Sequence, residues 1–169
     1  MDKIVLLKMA YSILEKVTPT RLDCGKLCDK ACCQGEDEDT GMILYPGEEK
    51  LLASQSDWLI INDLEGLGPL KKLAVCKKPC PRSMRPLACR VFPLTPYLTE
   101  DDILLVKIDP RARGMCPLAR TMDKKELDPN FIRAVRKAIN LVAKNHEIRA
   151  YIYFLSRMLD EYEKQPYFV

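Results

Sequence analysis

Histidine is nearly absent: His146 is the only one. That excludes every metal or catalytic site needing two histidines from this chain, including the zinc finger with paired cysteines and histidines, the HExxH peptidase and the three-histidine hydrolase. Long apolar runs are missing too. Val5-Leu6-Leu7 and Ile103-Leu104-Leu105-Val106 each end at a lysine, far short of the roughly 20 residues that cross a bilayer. The charged N-terminus (Asp2, Lys3, Lys8, Glu15, Lys16) reads as an amphipathic helix and not as an export signal. A cytoplasmic protein without a membrane partner is therefore expected. The net charge of +3 is too small for a general nucleic-acid binder. Aromatics that would stack on bases are scarce in the basic middle of the chain, where only Phe92 and Tyr97 occur, so a nucleic-acid partner is not expected.

The chain has 169 residues, 47% hydrophobic and 30% charged, which is one domain's worth of an ordinary globule (1–169). Its ends read as helices. Ile4, Leu7, Tyr11 and Leu14 recur at three- and four-residue steps, giving an N-terminal helix within 1–18 that stops before Pro19. Asp128 is a candidate N-cap with Pro129 at the first helical position. Phe131, Val135, Ile139 and Val142 mark one face of the helix that follows, to about Lys144. Ile148, Tyr151, Ile152, Leu155, Leu159 and Tyr162 mark another, so that 128–164 is a helix pair whose apolar faces should meet the first helix. His146, in the link between them, reads as a surface or capping residue. The middle, 24–120, is broken by prolines; its strand candidates are Trp58 to Ile61, Leu70 to Val75 and Ile103 to Ile108. A helical turn is expected after Pro46-Gly47-Glu48-Glu49, where two acids suit a helix N-terminus. The acidic run Glu36 to Asp39 reads as a solvated turn.

Eight cysteines stand against that single histidine. In a reducing compartment clustered thiols point to metal rather than to a disulfide framework. All eight are candidate ligands: Cys24, Cys28, Cys32 and Cys33 in one group, then Cys76, Cys80, Cys89 and Cys116. On a continuous helix Cys24, Cys28 and Cys32 would share a stripe, but Cys33 would point about 180° away from Cys24. Either the first group is a loop, or the adjacent pair Cys32-Cys33 divides between two sites. A thiolate set favours zinc, iron-sulfur or copper(I) over magnesium or calcium. Metal would also supply the constraint that so proline-rich a segment otherwise lacks.

Between Gly66 and Thr99 there is no Asp or Glu, yet seven basic residues occur: Lys71, Lys72, Lys77, Lys78, Arg82, Arg85 and Arg90. A solvated basic face, compensation of an anionic thiolate centre and a site for an anionic ligand all account for such a stretch. Nearby cations favour thiolates by lowering thiol pKa values.

The run Arg85-Pro86-Leu87-Ala88-Cys89-Arg90-Val91-Phe92-Pro93 resembles the RP-x-x-C-R-x-F-P signature of the YkgJ-type cysteine-cluster family, described as a zinc- or iron-chelating domain. Cys32-Cys33 resembles the vicinal pair that closes the upstream cluster in such proteins. The usual upstream form is nearer C-x2-C-x2-CC, where this chain reads C-x3-C-x3-CC. The resemblance spans about Cys24 to Cys116 and implies a zinc or iron-sulfur cofactor. Arg85 and Arg90, flanking Cys89, are the candidate cofactor-binding cations, since a guanidinium bonds carboxylates or backbone while screening thiolate charge. Pro86 would begin a short helical turn presenting Cys89, and Phe92 would cover the site. Relatives of the flagellin lysine methylase fall in the family, which implies methyl transfer as one possible chemistry. The glycine-rich methyl-donor loop is absent, as is the C-x3-C-x2-C motif of radical enzymes that use S-adenosylmethionine.

The expected fold class is α+β: a small, irregular, metal-stabilised cysteine-rich core with short strands, packed against N- and C-terminal helices. The expected function is a metal-binding protein with no reaction assigned. The alternatives are a cluster-dependent enzyme, for protein lysine methylation or redox chemistry, and a zinc-stapled interaction module with a basic face. An unidentified protein or an anionic small molecule is the expected partner.

Overall fold

Asp2 opens the first helix, α1 (Lys3–Leu14), by accepting hydrogen bonds from the backbone N–H groups of Ile4 and Val5. The computed structural model describes residues 1–33, 41–53, 57–78 and 81–165; the acidic run Glu36 to Asp39 and Cys80 lie outside the described residues. α1 ends at Leu14, short of the proline boundary expected near position 18. Its inner face, Leu6, Leu7, Ala10 and Leu14, is fully buried.

That face packs chiefly on α6 (Pro129–Val142). Asp128 caps α6 as expected, accepting from the N–H groups of Asn130 and Phe131. Its own N–H donates to the Pro19 carbonyl (2.9 Å), tying the chain after α1 to the start of α6. Phe131, Val135, Ala138, Ile139 and Val142 supply the other half of the interface. Each large side chain buried there contributes about 1.5–3 kcal/mol by leaving water. α7 (His146–Glu163) follows after an Asn145 cap, and His146 is its exposed first residue. Ser156 of α7 accepts the Leu98 N–H (2.8 Å) and donates to the Ile152 carbonyl, pinning α7 to a strand.

The middle of the chain is more regular than its prolines suggest. Among the described residues β1 (Gly41–Ile43), β2 (Leu59–Asp63) and β3 (Lys72–Cys76) form an antiparallel sheet in the order β1-β3-β2. A second antiparallel pair joins β4 (Leu94–Leu98) to β5 (Leu104–Ile108). β1 and β4 were not expected. β1 is three residues long, and β4 contains Pro96, which a two-stranded ribbon tolerates because one edge of each strand needs no partner. The remaining helices are short: α2 (Cys24–Leu27), α3 (Glu49–Leu52), α4 (Leu87–Val91) and α5 (Pro117–Thr121). The chain is thus α+β, with terminal helices packed on a central region. One apolar cluster runs from α1 through α4, β4 and β5 into α6 and α7, so ordinary burial reaches the middle segment.

Candidate thiol site

α2 begins at Cys24 under an Asp23 cap and breaks after one turn, because Asp29 and Lys30 both adopt positive φ (48° and 56°). The following 3-10 turn, Ala31–Cys33, therefore points in a new direction. This decides the question of Cys33. The first cysteine group is not one helix, and the reversal lets Cys32 and Cys33 face the same space.

That space is a cavity of about 150 Å³ lined by Cys32, Cys33, Cys76 and Cys89, with Arg85 beside them. Cys76 arrives as the last residue of β3, and Cys89 lies in the middle of α4. Gly41 of β1 borders the same space opposite Val75. A side chain at Gly41 would run into the backbone carbonyl of Ala74, so glycine is what allows β1 to lie this close. Among the described residues the remaining walls are Met42, Phe92 and Met115, with the Asp109–Arg111 pair. Phe92, expected to cover the site, is one of the cavity-lining residues.

Sγ of Cys32 and Sγ of Cys33 are 4.0 Å apart, within reach of an S–H···S hydrogen bond. The hydrogen bond from Cys32 pushes the Cys33 thiol down to about 6, helped by Arg85 and Lys30 against the cost of burial. The same shared bond, with burial and the charge of Cys33, pushes Cys32 upward. The pair therefore releases one proton readily and holds the second. Cys24 is pushed upward, first by burial and then by Asp23 and Cys28, with Arg85 and Arg82 opposing. Arg85 thus acts on Cys24, Cys32 and Cys33 together. Cys28 donates to the Cys24 carbonyl at 3.3 Å.

Not every candidate converges. Cys24 and Cys28 do not line the cavity. Cys116, 8% exposed, sits instead among Ala112 and Ala119, with Phe92 packed against them. None of the seven described cysteines is in a disulfide. Among the described residues no three His, Cys, Asp or Glu side chains are grouped closely enough to hold a metal ion as they stand. Thiols of this number nevertheless fit a soft metal by donor chemistry.

The two candidate arginines have separate tasks. Arg85 lines the cavity. Arg90 does not: its Nε donates to the Arg85 carbonyl (2.8 Å), its Nη2 to the Ser83 carbonyl (2.5 Å), and its guanidinium lies 4.1 Å over the Tyr11 ring. It shapes the loop that presents Arg85. Both are buried, Lys72 pairs with Asp63, and Lys78 lies over Trp58. The seven basic residues of this stretch are therefore not one solvated face.

Comparison with protein-family models, curated proteins and solved structures finds no match to this chain.

Sequence reasoning missed the residue that holds the cysteine helix in place. Glu48, expected only as one of two acids suiting a helix N-terminus, does precede α3 and is also fully buried. It accepts hydrogen bonds from the Tyr11 hydroxyl (2.5 Å), the Tyr45 N–H (2.9 Å) and the Leu87 N–H (2.5 Å). Leu87 is the first residue of α4, so Glu48 caps from a distance the helix that carries Cys89. Gly47, at φ 89°, makes the turn that sends Glu48 inward. Burial raises the Glu48 pKa, opposed by its three hydrogen bonds and by Arg90. Asp109 and Arg111 were missed as well. Their one local signal is Asp-Pro, which sets the turn after β5 with Asp109 as its cap.

Proposed function

We propose that this is a cytoplasmic metal-binding protein, of the YkgJ type that its central motif resembles, whose thiols hold zinc or an iron-sulfur cluster. The observation that carries the reading is the convergence of Cys32, Cys33, Cys76 and Cys89, from three separate stretches of chain, on one cavity beside buried Arg85. Soft sulfur donors gathered in one place suit zinc or iron-sulfur ligation. Arg85 would offset the charge that thiolate ligation leaves behind, and its charge reaches Cys24 as well. Cys32, Cys33, Cys76 and Cys89 would hold the metal, their unbranched side chains turning about χ1 to reach it. Zinc held there would brace the surrounding loops, and an iron-sulfur cluster would supply electron transfer.

The test is anaerobic purification of untagged protein, followed by elemental analysis and an absorption spectrum. Stoichiometric zinc in a colourless sample, or absorption near 400 nm with iron and sulfide in a brown one, is the expected result. Protein that emerges metal-free, and takes up neither zinc nor reconstituted iron and sulfide, ends the proposal. A second reading, a cluster-dependent enzyme for lysine methylation or redox chemistry, draws on the open space beside the thiols. Titration with S-adenosylmethionine addresses its methyl-transfer form, which a lack of binding at millimolar ligand would remove.

A further inference from the structure

The thiols occupy only part of their cavity. The rest is walled by Met42, Phe92 and Met115 and by the ion pair of Asp109 and Arg111, and metal ligation makes use of none of these. An apolar cavity of about 150 Å³ admits a molecule the size of benzene, on the order of six heavy atoms. The space is thus larger than an ion needs and of the right size for a small organic molecule.

Arg111 supplies the polar contact. Its Nε (3.0 Å) and Nη2 (2.7 Å) both bond the buried Asp109 carboxylate, which fixes the plane of the guanidinium. Nη1 makes no hydrogen bond among the described residues. A preoriented guanidinium bordering the Met42, Phe92 and Met115 side of the cavity is matched best by an anionic acceptor, because charge-assisted bonds are roughly twice as strong as neutral ones.

We infer that the cavity is a binding site for a small organic monocarboxylate, its carboxylate on the Arg111 guanidinium and its apolar body against Phe92, Met42 and Met115. The site goes beyond metal binding and stands on walls that are not sulfur ligands. It gives the protein a selective ligand whether the thiols carry zinc, a cluster or protons.

The experiment uses the full chain with 13C-methyl methionine, titrated at constant ionic strength with butyrate, 1-butanol and n-butylammonium. Metal content is measured on the same samples. Butyrate should shift the Met42 and Met115 methyl signals saturably, with affinity about tenfold or more above that of 1-butanol, the worth of one hydrogen bond to a charged group. Butylammonium should bind more weakly still. Arg111→Gln should bring butyrate down to the level of 1-butanol and leave 1-butanol unchanged. Met115 is 41% exposed at the rim, so Met115→Trp should fold, block both ligands and leave metal content as it was. Equal binding of butyrate and 1-butanol to the unmodified chain overturns the inference, and so does the absence of any saturable shift. Loss of metal without loss of butyrate binding would count against the metal reading alone.

Discussion

Replacing Glu48 with alanine should be the most damaging single substitution near the site. Glu48 is fully buried and is the acceptor for the Tyr11 hydroxyl and the N–H groups of Tyr45 and Leu87. Alanine leaves these donors without their acceptor in a closed space, at about 1–3 kcal/mol for each one that finds no substitute. The Tyr11 hydroxyl can turn, but the two backbone donors cannot, so the expected loss is roughly 2–6 kcal/mol. Against a total stability of about 5–15 kcal/mol, that is a large share. Glu48→Gln keeps the side chain's shape. Its Oε1 can retain Tyr11 and Leu87, while its amide nitrogen would face the Tyr45 N–H donor to donor, so about 1–3 kcal/mol should be lost. Tyr11→Phe should cost about 1 kcal/mol, and in a double-mutant cycle with Glu48→Gln the two should couple by roughly 0.5 kcal/mol or more, because they share one network. Urea denaturation measures all four proteins. A Glu48→Ala loss below about 1 kcal/mol would refute the reasoning, since at least two buried donors must then have found other acceptors. Metal content should fall in the same variant, because Leu87 starts the helix that carries Cys89.

The remaining predictions concern pH, the cysteines and one glycine. Burial raises the Glu48 pKa above its ordinary 4.5, so the folded chain holds this proton more tightly than the unfolded one. Its contribution to stability is present below 4.5 and is lost as pH rises through the folded value. The difference in unfolding free energy between the unmodified chain and Glu48→Gln should shrink across that window, and a flat difference would contradict it. Cys89→Ser should lower metal content and melting temperature together, because structural metal binding is coupled to folding; unchanged metal would remove Cys89 as a ligand. Cys116→Ala, in its separate apolar pocket, should cost about 1 kcal/mol and leave metal content unchanged. Gly41→Ala should force β1 away from β3, at about 1–3 kcal/mol by thermal unfolding; full stability would mean that the close approach to Ala74 is dispensable.

What could be read locally was read well. The Asp128 cap, Pro129 at the first helical position and the two apolar series place α6 and α7 nearly to the residue, because capping and periodicity act within a few positions of chain. The three strand candidates overlap β2, β3 and β5, with ends at most two residues off, for the same reason. β1 escaped because three residues carry no alternation to count. β4 escaped because Pro96 argues against a central strand, and it is acceptable here because β5 is the strand's one neighbour among the described residues.

For the site, the residue types were legible while the partition among them was not. Composition and spacing alone determined that this chain has thiols in place of imidazoles, a guanidinium on each side of Cys89 and helices at both ends. Only the tertiary structure decided that Cys33 turns toward Cys76 and Cys89 while Cys116 goes elsewhere, that Arg85 faces the thiols while Arg90 braces the loop, and that Glu48 is a buried anchor. Those outcomes depend on which distant segments meet. Two positive-φ residues after α2 and a packed core beneath α4 set that meeting, and neither leaves a periodic mark in the chain.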